Sequence, residues 1–107
     1  MSRISETGMV TTTVAGREEA RRIAGVLLTE RLAACVQILE IESHYLWKGE
    51  RKAEPEVMLL IKTRAELFDR TIARIKALHP YETPEIVAQT FRAGHPAYLA
   101  WIADNTG

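Results

Sequence analysis

Residues 33–63 decide the fold, and they read AACVQILEIESHYLWKGERKAEPEVMLLIKT. The part from Ala33 predicts a strand, Lys48-Gly49-Glu50 predicts a turn, and Glu56 to Thr63 predicts a second strand. The two strands therefore form a long hairpin. The run Val57-Met58-Leu59-Leu60-Ile61 is apolar without alternation, which is typical of a strand buried on both faces, so the second strand is predicted to lie inside the sheet.

The apolar pattern of the first hairpin strand changes parity midway. Val36 and Ile38 share one face of the strand. The residues that share a face of the opposite parity are Ile41, Ser43, Tyr45 and Trp47. A slip of one residue near Leu39–Glu40 reconciles the two patterns, so we predict a bulge or bend there.

The segments on either side of the hairpin complete an α+β order. Met9 to Ala15 is rich in Val and Thr and predicts a strand, and apolar residues at three- and four-residue steps from Ala20 to Leu32 predict an amphipathic helix. A similar stripe from Leu67 to Leu78 predicts a second helix that runs from about Arg64 to Leu78. Glu85 to Phe91 predicts a fourth strand, and Pro96 introduces a short terminal helix. This β-α-β-β-α-β order is typical of a ferredoxin-like antiparallel sheet with helices on one face.

Length and charge exclude several classes of protein. The chain has 107 residues, so we expect a single domain over residues 9–107, preceded by a polar, flexible extension at residues 1–8. Lys plus Arg is 14 and Asp plus Glu is 14, which leaves no positive footprint for nucleic acid or an anionic membrane. No apolar run approaches the ~18 residues of a membrane span, and no signal peptide is visible. With one cysteine and no intrachain disulfide, a cytoplasmic location is expected.

Candidate functional residues are few, and each has a structural alternative. Cys35 is either a small buried hydrophobe or a thiolate that binds metal or responds to oxidants. His79 follows the second helix and either caps that helix or binds a ligand. Lys62, at the end of the central strand, is expected to face Glu82 and Glu85, as an ion pair or a polar pocket. No phosphate loop, zinc spacing or catalytic triad is present, so no enzyme is predicted.

The hairpin carries aromatic side chains on an arm that two helices cannot cover. Tyr45, Leu46 and Trp47 either pack under the terminal helix or form an interface with another molecule. The interface is the preferred interpretation, because large exposed apolar patches usually mark contact surfaces. A net charge of zero leaves little repulsion between copies of the chain.

Five segments in order resemble the CutA divalent-cation tolerance protein family. They are RLAACVQI at 31–38, SHYLWKG at 43–49, LIKT at 60–63, HPYETPEI at 79–86 and YLAWI at 98–102. The resemblance extends over nearly the whole chain from Met9. It implies a ferredoxin-like subunit in a stable homotrimer, in which the long hairpin packs against neighbouring subunits.

The resemblance also implies a set of site residues and partners. Those that match residues near the cleft between subunits are Cys35, Tyr45, Trp47, Lys62, Tyr81 and Glu85. Copper or another divalent cation is the implied ligand, and His79 and Glu82 are the donors expected for a weak metal site. Thr12 stands where some copper-binding members carry a cysteine, and a hydroxyl is a poor ligand for a soft metal.

Three functions are compatible with these residues. The first is a trimer that binds divalent cations or, like the PII signalling proteins, a small ligand between subunits. The second is a small enzyme whose site is built across the interface from Cys35, Lys62, His79 and Glu85. The third is a structural or interaction protein that functions through the surface of its trimer. Binding is preferred, because no nucleophile lies beside a base in the sequence.

Overall fold

The fold is one antiparallel sheet with two helices on one face and a third helix on the other. The computed structural model describes residues 6–107, and the strand order is β2-β3-β1-β4. The elements are β1 (Thr7–Val14), α1 (Arg17–Thr29), β2 (Cys35–Trp47), β3 (Glu50–Arg64), α2 (Phe68–Leu78), β4 (Ile86–Thr90) and α3 (Pro96–Asp104). The ferredoxin-like α+β order predicted from the sequence is confirmed.

The core lies between the sheet and helices α1 and α2. Along β3, Leu59 and Ile61 are fully buried, whereas Leu60 and Lys62 are only half-buried. We call the side of Ile61 the helix face and the side of Lys62 the open face. The internal position of β3 is confirmed, but its burial on both faces is wrong within one protomer, since α1 and α2 cover only the helix face.

The hairpin of β2 and β3 is longer and more regular than expected. Its register is unbroken from Cys35↔Lys62 to Trp47↔Glu50, and Lys48 and Gly49 form the turn at positive φ. The predicted bulge near Leu39–Glu40 is therefore wrong. Beyond Glu40 the arm leaves the cover of the helices, so no core requires one face to stay apolar. The apolar residues of β2 therefore change from one face of the strand to the other where the helices stop covering it, and the pairing with β3 continues without a break.

The first strand begins earlier than the sequence suggested. Thr7 pairs with Arg64 and Gly8 with Thr63, so these two positions of the expected extension belong to β1. Residues 1–5 of that extension lie outside the described residues. Within the described chain, no helix is both long and apolar enough to cross a membrane.

Candidate functional site

On the open face, Lys62 lies beside the predicted site residue Cys35 and beside Gln37 and Tyr98, which the sequence had not suggested as site residues. Cys35 lies directly across from Lys62 in the β2–β3 register. Lys62 Nζ donates to Gln37 Oε1 at 2.9 Å and to the Tyr98 hydroxyl at 3.3 Å. Tyr98 belongs to α3, which therefore packs on the open face. We call Cys35, Gln37, Lys62, Tyr98 and Trp101 the lysine end of this face.

A second group lies further along the open face, toward the arm. The Tyr81 hydroxyl donates to Glu56 Oε2 at 3.5 Å. Burial raises the pKa of Tyr81 above its ordinary value, and the negative charge of Glu56 adds to the rise. Desolvation and a hydrogen bond to Glu54 raise the pKa of Tyr45 in the same direction. We call Tyr45, Glu54, Glu56 and Tyr81 the tyrosine group.

The predicted cleft residues are therefore not gathered in one place within a protomer. Tyr45 is ten positions from Cys35 along β2, which is about 33 Å at ~3.3 Å per residue. Trp47 lies further out at the turn and stays exposed, as does Tyr45, so neither packs under α3. A concavity of about 320 Å³ near the turn is lined by His44, Tyr45, Leu46, Arg51, Lys52 and Ala53, none of them at the lysine end.

Lys62 does not face Glu82 and Glu85, contrary to the expectation. Lys62 pairs with Met9 at the start of β1, whereas β4 begins opposite Thr12, so Glu85 lies beyond that position toward the other end of β1. Glu82 and Glu85 are both exposed. The antiparallel register separates the end of β3 from the start of β4, because both strands pair with β1. Within one protomer, the polar group at Lys62 is built from neutral side chains.

His79 is buried, and both of its ring nitrogens have protein partners. Its Nδ1 accepts from the Tyr81 amide at 3.2 Å, so Nε2 carries the proton and donates to the Thr13 carbonyl at 2.8 Å. The ring thus ties the loop after α2 to β1, whereas a cap would bond the last carbonyls of α2. A metal ion at Nδ1 has to displace the bond from Tyr81.

The metal donors that the sequence suggested do not form a complete site. No group of three His, Cys, Asp or Glu side chains suited to a metal is present among residues 6–107. Thr12 is fully buried and pairs with Leu59 on the helix face, whereas Cys35 pairs with Lys62 on the open face. A cysteine at position 12 therefore cannot share an ion with Cys35 of the same protomer.

Sequence reasoning missed Gln37, Tyr98 and Trp101 as parts of the lysine end. Gln37 has the same strand parity as Cys35, which was a usable signal. Tyr98 and Trp101 are three positions apart on α3 and stack with ring centroids 5.8 Å apart. The sequence predicted only a short terminal helix here, and the packing of α3 shows which side of the sheet the two rings meet.

Comparison with known proteins gives a consistent result over the whole domain. The model of the CutA1 divalent ion tolerance protein family matches residues 8–105. The divalent-cation tolerance protein CutA of Thermus thermophilus is 47% identical over 92% of this chain and 97% of its own length. The chloroplastic protein CutA 1 of Oryza sativa is 40% identical over 92% of this chain, which spans only 56% of that relative.

Solved structures agree with the sequence comparisons. The crystal structure of CutA1 from Oryza sativa has a TM-score of 0.93 at 38% identity, covering 99% of this chain and 98% of that one. The divalent cation tolerance protein from Thermus thermophilus has a TM-score of 0.90 at 46% identity, covering 94% and 99% of the two chains. The names of these relatives carry no enzymatic activity.

Proposed function

Because the chain belongs to the CutA1 divalent ion tolerance protein family, we propose that it acts as a homotrimer in tolerance to divalent cations. Its ligand cleft lies between subunits, and its direct affinity for copper or another divalent ion is weak. Support for the tolerance role comes from the printed names of its relatives. Support for the assembly and the cleft comes from the open face.

The observation that carries the assembly is the uncovered apolar surface of the open face. Four large side chains that point to this face from the strands are exposed: Leu39, Tyr45, Trp47 and Val87. Large apolar side chains that lie exposed together on one face usually mark an interface. A second copy of the chain is the occupant we propose, because the formal net charge of zero leaves little repulsion between copies.

An intersubunit cleft follows from the separation of the candidate residues. Cys35 and Lys62 lie at the end of the hairpin next to the core, whereas Tyr45 and Trp47 lie near its turn. The arm is long enough to reach a neighbour, since the molecule measures 54 Å along its longest axis and 26 Å across. In the proposed trimer the arm of one subunit completes the cleft of the next, and Tyr81 and Glu85 line its edge.

Weak cation binding is assigned to His79 and Glu82, three positions apart in the loop after α2. An ion there competes with the Tyr81 amide for His79 Nδ1, so the affinity is low. We expect Glu82→Gln, an exposed substitution that leaves the fold intact, to weaken Cu²⁺ binding roughly tenfold in calorimetry. Glu18→Gln on α1 is the matched control and leaves binding unchanged. Equal affinity in the parent and in Glu82→Gln removes this assignment.

Growth in copper tests the tolerance role itself. A bacterial strain whose own gene of this family is deleted is complemented with this chain and grown with and without added Cu²⁺. We expect the chain to improve growth only in the medium in which added Cu²⁺ inhibits the deletion strain. Complementation that fails although the protein is present and folded contradicts the proposed function.

A further inference from the structure

The lysine end contains a cation without an anionic partner. Lys62 is half-buried, and among residues 6–107 no carboxylate oxygen lies within 4.0 Å of its Nζ. Its contacts are the neutral Gln37 and Tyr98. Arg64, two positions along the same strand face, is paired with Glu66 at 2.6 Å. A partly desolvated ammonium with only neutral neighbours attracts an anion.

The hydrogen bonds at Lys62 leave several donors unused on neighbouring side chains. Gln37 Oε1 accepts from Lys62, so the amide NH₂ of this exposed side chain has its donors available. The Tyr98 oxygen also accepts from Lys62, which leaves the Tyr98 hydroxyl hydrogen to donate. The ammonium itself has three donors, of which these contacts use two. An anion bound here can therefore accept hydrogen bonds from three side chains, and no carboxylate of the described residues lies close enough to Lys62 to repel it.

A stacked aromatic pair lies beside these donors. The rings of Tyr98 and Trp101 are 5.8 Å apart with an 18° angle between their planes, and both side chains are exposed. Lys62 Nζ lies 5.6 Å from the centroid of the Tyr98 ring. An exposed stack is a platform that a further flat aromatic ring can extend.

We propose that the lysine end binds a flat aromatic ligand that carries a carboxylate or a phosphate. The anionic group contacts Lys62, Gln37 and Tyr98, and the ring stacks on the Tyr98–Trp101 pair. This inference names a ligand class for the cleft of the proposed function and rests on that function for its biological role. The residues named here all come from one chain, and in the proposed trimer they line the cleft that the neighbouring arm completes, so binding is measured on the assembled protein.

Calorimetry with simple probes tests the ligand class. We expect benzoate to bind and cyclohexanecarboxylate, which has the same charge without an aromatic ring, to bind at least about tenfold more weakly. Comparing the affinities of adenosine monophosphate and adenosine measures in the same way what the phosphate contributes to binding. Tighter binding of benzoate assigns an aromatic carboxylate, and tighter binding of the nucleotide assigns an aromatic phosphate. No binding of either anion at millimolar concentration overturns the proposal.

Variants test the residues assigned to each part of the ligand. We expect Lys62→Gln to weaken binding of both anions at least about tenfold, and Trp101→Leu to reduce the preference for benzoate over cyclohexanecarboxylate. Lys76→Gln, which removes an exposed lysine on α2, is the matched control. Equal affinity in Lys62→Gln and Lys76→Gln overturns the proposal. Circular dichroism melting of each variant confirms that it is folded before its affinity is compared.

The main competing account is that a carboxylate of a second copy neutralises Lys62. In that case neither probe binds the parent protein, and Lys62→Gln destabilises the trimer. That outcome overturns the ligand class and leaves the trimer standing. If the protein binds the anions but is not a trimer, the ligand class stands and the trimer is overturned. The two failures are therefore distinguishable.

Discussion

At the scale of single residues, His79 and Tyr81 together fix the loop that leads into β4. Their rings lie 4.7 Å apart, and the Tyr81 amide donates to His79 Nδ1. The Tyr81 hydroxyl reaches Glu56 on the open face. The segment that carries Glu82 and Glu85 is thus held by two contacts, one from His79 to β1 and one from Tyr81 to the open face of β3.

The ionisation of Tyr81 reports on this arrangement. Burial and the nearby Glu56 raise the pKa of Tyr81 above the ordinary value of 10.0, so the folded state favours the protonated phenol. This contribution to stability is fully present below pH 10.0 and is lost as the pH rises through the raised pKa. We expect tyrosine-labelled NMR titration to show a lower Tyr81 pKa in Glu56→Gln, and no change in Glu42→Gln on the other face of the arm. A Tyr81 pKa that does not respond to Glu56→Gln contradicts this geometry.

At the scale of secondary structure, Gly8 is required by the close packing of β1. A β-carbon at this position would lie 2.3 Å from the Gln89 carbonyl oxygen and 2.6 Å from Phe68 Cζ. The backbone of β4 and a ring of α2 therefore meet at a point where no side chain fits.

Substituting this glycine tests how tightly the two elements meet. We expect Gly8→Ala to lower the free energy of unfolding by about 1–3 kcal/mol, as overpacking usually does. Gly25→Ala is the control, because nothing lies within 4 Å of its added β-carbon on α1, and it should stabilise by up to about 1 kcal/mol. Denaturant unfolding measures both. Equal stability of the parent and Gly8→Ala shows that β4 or Phe68 moves freely.

The elements were predictable from the sequence because their patterns are local. Periodicity located α1, α2 and the hairpin, and Gly49 marked the turn. The bulge near Leu39 was wrongly predicted. The apolar side chains of β2 change from one face of the strand to the other, and this pattern predicted a slip in strand pairing. The pairing is unbroken, and the change reflects which face of the arm is covered. The approach of Gly8 to β4 and α2 depends on long-range packing and has no local signal.

At the scale of the whole molecule, the arm and the open face determine how copies associate. Trp47 is 47% exposed on the open face, and Leu28 is 45% exposed on α1. We expect Trp47→Ala to raise the concentration at which the trimer dissociates at least about tenfold, whereas Leu28→Ala leaves it unchanged. Analytical ultracentrifugation on dilution compares the two. Equal effects of both substitutions show that exposure alone, rather than the open face, determines association.

The candidate site was predictable only in part, for a reason that belongs to this scale. The resemblance to a known family grouped Cys35 and Lys62, and the register of β2 and β3 places them opposite each other on the open face. The expected contact of Lys62 with Glu82 and Glu85 failed, because strand order decides which strand ends are neighbours. Tyr98 reached Lys62 through the packing of α3 on the open face, and no pattern within either segment encodes that contact.

The working molecule that we propose contains three copies joined through the open face. Light scattering coupled to size-exclusion chromatography, with the protein at micromolar concentration, tests it most directly. We expect a single species with three times the 12.0 kDa mass of the chain. A single species of 12.0 kDa under the same conditions contradicts it.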